Sequence, residues 1–304
     1  MRKFFTLAFV LVSVLSTNAQ QDPQFSQFHF SKLYLNPGVA GSNDAICGSL
    51  MYRNQWTGFG GEPKTTMLQF DMPIESINSG AGLVVYNDEL GFDRNLKVAG
   101  NFAYRLNVGA GKLGLGLSLG YMQKSIDGSK FVFNDANDNS IPTNNVSGGS
   151  FDLGLGAYYS TDKLYVGLSS AHLLEGEINL DRISTSLARH YFLMAGYSLD
   201  LTPSLGLKPA MRLESDGVST QVDLNANLHI NNKYWVGLGY RLQDAMMIMA
   251  GIEIIPNLKL GYAYDYTTSD IRTYSSGTHE VYLGYCFKPV KVVKRQFHRN
   301  VRFL

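Results

Sequence analysis

A single antiparallel up-and-down β-barrel that spans a membrane is the fold class this sequence predicts. Three observations carry that reading. A secretory leader opens the chain. Period-two alternation of apolar residues then recurs in about fourteen segments, most about ten residues long, the length a tilted strand needs to cross an outer membrane. The longest connections between segments all fall on one side of the expected barrel.

Residues 1–19 read as a signal peptide. Arg2 and Lys3 supply the positive end, Phe4 to Leu15 form an apolar run too short to span a bilayer, and Thr17 and Ala19 are the small residues before a cleavage point after Ala19. No Cys follows the leader, which argues against a lipid anchor. The expected destination is the outer membrane, with 20–43 as a periplasmic or plugging lead-in, 44–288 as the barrel and 289–304 as a basic periplasmic tail.

Composition agrees. The chain of 304 residues holds 31 glycines, 18 tyrosines and 17 phenylalanines against 9 prolines, which suits strands joined by tight turns. Of 26 basic residues, two lie in the leader and six lie from Lys288 onward, where no acidic residue occurs; the body between therefore holds 18 against 25 acidic. An acidic body in an exported chain excludes nucleic acid as a partner.

The predicted strands are 44–56, 64–73, 79–87, 93–106, 111–126, 149–161, 163–173, 188–200, 203–215, 219–231, 233–243, 245–255, 257–267 and 278–288. With an even count and a periplasmic N-terminus, the first connection lies outside the cell. The long connections 127–148, 174–187 and 268–277 then fall outside, and tight turns such as 107–110, 161–162 and 231–232 fall inside. Leu113, Leu115, Leu117, Leu119 and Tyr121 occupy one face of their segment, with small or polar residues on the other. The leucine face should meet outer-membrane lipid and the small face the lumen. Trp56, Tyr86, Tyr121, Tyr158, Tyr165, Tyr234 and Trp235 sit near strand ends, where interfacial girdles are expected. Thr278 to Phe287 ends on an aromatic, as a terminal strand read by barrel-insertion machinery does, although about seventeen residues follow it.

Nothing in the sequence points to catalysis or a cofactor. Gly109-Ala110-Gly111-Lys112-Leu113-Gly114 has dinucleotide-binding spacing, but a leucine-alternating strand follows where a helix is needed. Asp135 to Asn139 opens like a calcium loop, but Ser140 and Val146 replace its glycine and closing glutamate, so a solvated loop is the plain reading. His29, His172, His190, His229, His279 and His298 lie far apart, without metal-ligand spacing, so no metal is expected. Cys47 and Cys286 lie on the first and last strands, near the periplasmic end and on the lumen face. A seam disulfide is one reading; two free thiols are the favoured one, because disulfide geometry is strict and the register is open.

The stretch behind the leader carries the most specific pattern. It runs Asp22-Pro23-Gln24-Phe25-Ser26-Gln27, then Asn36-Pro37 with Ala40-Gly41-Ser42, then Tyr52-Arg53-Asn54-Gln55-Trp56, then Gly61-Glu62-Pro63-Lys64-Thr65. This resembles, almost residue for residue, the start of the PorP/SprF family of outer-membrane proteins of the type IX secretion system. The departure is Gly38, where the family has Asn-Pro-Ala. The resemblance implies a component of type IX secretion in Bacteroidota, some of them gliding bacteria. It implies other secretion subunits as partners, and export or surface attachment of a secreted adhesin through its C-terminal sorting domain. A plugged porin or small-molecule transporter is the alternative.

The candidate partner or lumen residues are Phe25, Phe28, Asn36, Pro37, Arg53, Asn54, Gln55 and Trp56. Arg53 and Gln55 should face the lumen, with Asn54 and Trp56 outward near the rim. Because the segment crosses the membrane once, two separate clusters are expected: the lead-in at one end and Arg53 to Trp56 at the other. Lys291, Lys294, Arg295, Arg299 and Arg302 of the tail could dock on an acidic partner, or remain solvated.

Overall fold

The computed structural model describes residues 22–131, 142–181 and 183–288. The leader and its cleavage point, the Asp135 to Asn139 stretch and the tail from Lys291 to Arg302 lie outside the described residues. Among the described residues there are seventeen strands: β1 (Ile46–Asn54), β2 (Lys64–Ile74), β3 (Ser79–Leu90), β4 (Asp93–Val108), β5 (Gly111–Asp127), β6 (Asn145–Ser160), β7 (Leu164–Ala171), β8 (Glu177–Leu180), β9 (Ile183–Ser186), β10 (His190–Tyr197), β11 (Leu199–Thr202), β12 (Leu205–Ser215), β13 (Thr220–Ile230), β14 (Tyr234–Arg241), β15 (Ala245–Ile255), β16 (Leu258–Thr267) and β17 (Thr278–Phe287).

Fourteen spans close into an antiparallel barrel. Neighbours in sequence pair from β1 to β7 and from β12 to β17; β10 bridges β7 and β12, and β1 meets β17. β10 and β11 together make one span, interrupted at Ser198, whose N–H donates to the Lys163 carbonyl at 2.7 Å. Closure leaves no unpaired edge in lipid, which an open sheet could not achieve. The tight turns gather at the end where β1 begins and β17 finishes. One of them is Asn231-Asn232, both in left-handed backbone (φ 53° and 54°) that Asn tolerates better than most residues.

The two faces separate as the alternation predicts. Leu119 and Leu168 are 61% exposed and Leu238 is 67% exposed, on the surface that meets lipid. Their strand neighbours turn inward, many of them glycine or serine. Tyr121 and Tyr234 point outward, but Tyr86, Tyr158 and Trp235 are buried inside the lumen and Tyr165 packs against the same inner cluster. The expected girdle thus loses four members. They fall on the inward parity of their strands, and a large segment in the lumen gives them apolar partners.

Two further departures are local. β1 stops at Asn54, because the Gln55 N–H turns to the Pro63 carbonyl at 2.8 Å and Trp56 takes a left-handed φ of 53°. Gln55 and Trp56 are half-buried in the first exterior loop. The long connection after β7 holds the β8–β9 hairpin, whose Ile178 and Leu180 pack on Met122, Ile126 and Leu187 at the open end. At the other end Cys47 and Cys286 face each other in the β1–β17 register and form a disulfide across the seam, in place of the two free thiols favoured from the sequence.

Candidate functional site

The lead-in lies inside the barrel. It descends through three single turns, Phe28–Phe30, Lys32–Leu35 and Pro37–Val39, to the start of β1. Phe25, Phe28, Leu33, Leu35 and Val39 are buried against Met51, Met67, Val84, Tyr86, Phe192 and Met194 of the wall. The Phe30 ring stacks on Tyr282 with centroids 4.2 Å apart. Burying these apolar rings is the main favourable term available to a segment with so little regular structure.

Its upper part is held by charge. Arg53 donates to Ser26 Oγ (2.8 Å), Glu280 Oε2 (3.0 Å) and Asp265 Oδ2 (2.8 Å). Glu280 also accepts the backbone N–H groups of Ser26 and Gln27 at 2.7 and 2.8 Å. Asn225 donates to the Ser26 carbonyl at 2.8 Å. The network continues around the wall, with Arg241 and Arg212 both donating to Asp223 (3.1 and 2.9 Å) and Arg212 lying 3.2 Å from Glu214. Each of these charges is almost wholly buried. Desolvated charges are costly singly and are retained here as an interlocked set with hydrogen-bond partners.

A second cluster surrounds Asp22. His172, just past β7, sits between two carboxylates: Nδ1 is 3.0 Å from Asp152 and Nε2 is 3.1 Å from Asp22. Lys97 pairs with Asp152 at 2.7 Å. Burial alone would lower the His172 pKa, but the Asp22 charge and the bonds to Asp152 and Asp22 raise it to about 9. Burial works against ionised Asp22, yet the His172 charge holds that carboxyl well below its usual range.

The lower part is held by shape. Asn36 caps the Pro37–Val39 turn by accepting from Gly38 N–H at 2.8 Å, and its Nδ2 donates to the Ala157 and Leu168 carbonyls at 3.0 and 3.1 Å. Pro37 stands at the first position of that turn, where its missing N–H costs nothing. The wall opposite is glycine. A Cβ on Gly116 would collide with Gly38 N, and one on Gly80 with the Ala40 carbonyl. The small inward residues of β5 and β6 are therefore the bed of this segment. Beneath it, toward the tight-turn end, a cavity of about 380 Å³ is lined by Lys32, Lys208, Lys259 and His29. Burial first, and then the neighbouring His229, Lys32, Lys208 and Lys259, lower the His29 pKa to about 3.

Of the candidate residues, Phe25, Phe28, Asn36, Pro37 and Arg53 come together in the lumen. Asn54 instead ties the first exterior loop, donating to Glu62 at 2.9 Å. The two-cluster expectation is corrected: the lead-in starts near the outer end of the lumen before it descends, so Ser26 meets Arg53. Arg53 is 2% exposed and lies at no open rim. Sequence reasoning missed Asp223, Arg241, Asp265 and Glu280. Their signal was a charged residue at inward parity in an otherwise apolar strand. It also missed the meeting of Asp22 with His172 and His190: β7–β10 pairing sets His190 opposite Ala171, beside His172, and seating of the inner segment in the lumen brings Asp22 to them.

Several solved structures share this fold. The Ralstonia pickettii toluene transporter TbuX aligns with TM-score 0.52 at 10% identity, over 84% of this chain and 93% of that one. The CymD monoaromatic hydrocarbon channel aligns at 0.51 and 11%, over 88% and 94%. A Pseudomonas aeruginosa FadL homologue gives 0.51 and 11%, over 89% and 95%. At such identities the likeness shows the fold alone. No curated protein matches the chain. Residues 17–285 match the family described as type IX secretion system membrane protein PorP/SprF, and the chain, an outer-membrane β-barrel, belongs to that family.

Proposed function

We propose that this barrel is a plugged docking subunit of type IX secretion, which binds other components of the machine and aids export or surface attachment of a secreted protein such as an adhesin. One observation carries this reading: the lumen is filled by the chain's own N-terminal segment, pinned through Arg53, Glu280 and Asp265. A solute path would require that buried set to come apart. A docking subunit leaves it in place and uses its ends. At the open end Tyr274 (76% exposed), Val218 (59%) and Leu174 (55%) are apolar side chains held in loops, beyond the lipid-facing wall. Apolar groups displayed in water favour a protein partner.

The test is purification of the tagged protein from gently solubilised native membranes, paired with planar-bilayer recording. Identified secretion components, or a secreted protein bearing a sorting domain, should co-purify, and the barrel should stay closed. Solute-specific conductance with no such protein bound would establish the transporter reading instead.

A further inference from the structure

His190 presents a buried nitrogen with nothing to bind. Its Nδ1 lies 2.9 Å from the Ala188 carbonyl, which only accepts, so Nδ1 carries a proton and, in the neutral ring, Nε2 is the atom that offers a lone pair. His190 is 2% exposed, and Nε2 has no hydrogen-bond partner. Its neighbours are the wrong kind for a lone pair. Glu214 Oε1 is 4.0 Å away, beyond hydrogen-bond range, and the Asp22 carboxylate faces the same space. Ligand atoms of Asp22, His172 and His190 all lie within 4.8 Å of one another, and all three residues are buried. They line a cavity of about 20 Å³, room for a single small particle.

We propose that this cluster is a binding site for one divalent transition metal ion of the zinc class, held by His172 Nε2, His190 Nε2 and the Asp22 carboxylate, with Glu214 or water as fourth ligand. Two imidazoles and a carboxylate suit zinc. The outer contacts are those that orient metal-binding histidines: Asp152 accepts from His172 Nδ1 at 3.0 Å, and the Ala188 carbonyl holds His190 Nδ1. Ligand atoms around tetrahedral zinc stand about 3.3 Å apart, given bonds of about 2.0–2.1 Å. Asp22 and His172 already stand at 3.1 Å, so His190 supplies the remaining closure. The ion takes the place of the His172 Nε2 proton, which leaves on binding. It would clip the head of the inner segment to β7 and β10. The site is independent of the secretion reading and can fail or hold without it.

The experiment uses the purified full-length barrel in detergent, stripped with chelator and titrated with Zn²⁺ by calorimetry and with Co²⁺ by absorption. One ion per chain and the intense visible bands of tetrahedral Co²⁺ are expected. His190→Ala should weaken binding at least about 100-fold, and Asp152→Asn, a positioning change, about 10–100-fold. His279→Ala, in β17, should leave binding unchanged. Heat-modifiable gel migration shows that each variant is folded. Binding no tighter in the wild type than in folded His190→Ala overturns the proposal and leaves the cavity to water.

Discussion

Arg53 donates to Ser26 at 2.8 Å, and so joins two stretches of one sequence pattern across the lumen. The two residues lie 27 positions apart. The chain between them descends as the inner segment, turns at Gly41 and climbs again as β1. The same guanidinium neutralises Asp265 and Glu280 from two other strands. The Tyr-Arg-Asn-Gln-Trp stretch thus acts through its arginine as the lock on Ser26 and Gln27.

Arg53→Ala should therefore free the inner segment while the barrel still inserts. Removing one partner of a buried ion pair costs about 3–5 kcal/mol, because the remaining carboxylates lose their counter-charge. Chymotrypsin should then cut after Phe25, Phe28 or Phe30 in the variant and spare the wild type, as read by mass spectrometry. A variant that keeps full protection would show that apolar packing alone seats the segment. Loss of insertion would make Arg53 a folding residue of the barrel itself.

The Cys47–Cys286 bond closes a loop of 239 residues, but the nine residue pairs of the β1–β17 ladder close the same seam without it. Cys47→Ser with Cys286→Ser should thus still yield a barrel. It should unfold more readily, by up to about 5 kcal/mol, the upper end of what disulfides contribute. The check is the temperature at which the folded gel band disappears, with and without reductant. An unchanged temperature for wild type under reductant would mean that hydrogen bonding alone sets seam stability.

The wall was legible because its physics is local: lipid on one side and a packed lumen on the other impose period two, and β15 falls on 245–255 as the alternation predicts. Inward and outward parity was legible for the same reason. The contents of the lumen were not. Whether Tyr86 faces an interface or a neighbour depends on what fills the barrel, and nothing near Tyr86 in sequence states that Tyr34 will lie 5.7 Å from it. The glycines of β5 and β6 were read as a lumen face, yet their reason is the close approach of Gly38. His172 and His190 look unrelated until β7 pairs with β10 across a long exterior connection and the inner segment brings Asp22 to them.

Gly116→Ala tests that close approach. The new methyl would collide with Gly38 N and the Pro37 carbonyl carbon, both backbone, so the segment must shift. Gly100→Ala is the control, since its methyl would meet only the Leu119 carbonyl oxygen at 3.9 Å, an ordinary contact. Gly116→Ala should expose the inner segment to chymotrypsin without lowering barrel stability by more than about 1–3 kcal/mol, the usual cost of overpacking. Equal protection in both variants would mean that the bed tolerates a side chain.

Acid should unseat the lower half of the segment. The His29 pKa falls from 6.5 to about 3 on seating, first through burial and then through His229, Lys32, Lys208 and Lys259. Between those values the released segment binds the proton more readily than the seated one. Stability of the seated form is therefore complete above pH 6.5 and declines as the pH falls toward 3. Trp235, with its centroid 5.5 Å from Phe30, reports the change by fluorescence in a Trp56→Phe background. Its emission should shift toward that of hydrated tryptophan on acidification, and His29→Gln should move the midpoint to lower pH. His229, stacked on Trp235 with centroids 6.1 Å apart, and carboxylates elsewhere in the lumen also take up protons in acid, and they remain in the His29→Gln protein. The difference between the two midpoints is thus the part owed to His29, and coincident midpoints would assign the acid response to His229 and the carboxylates.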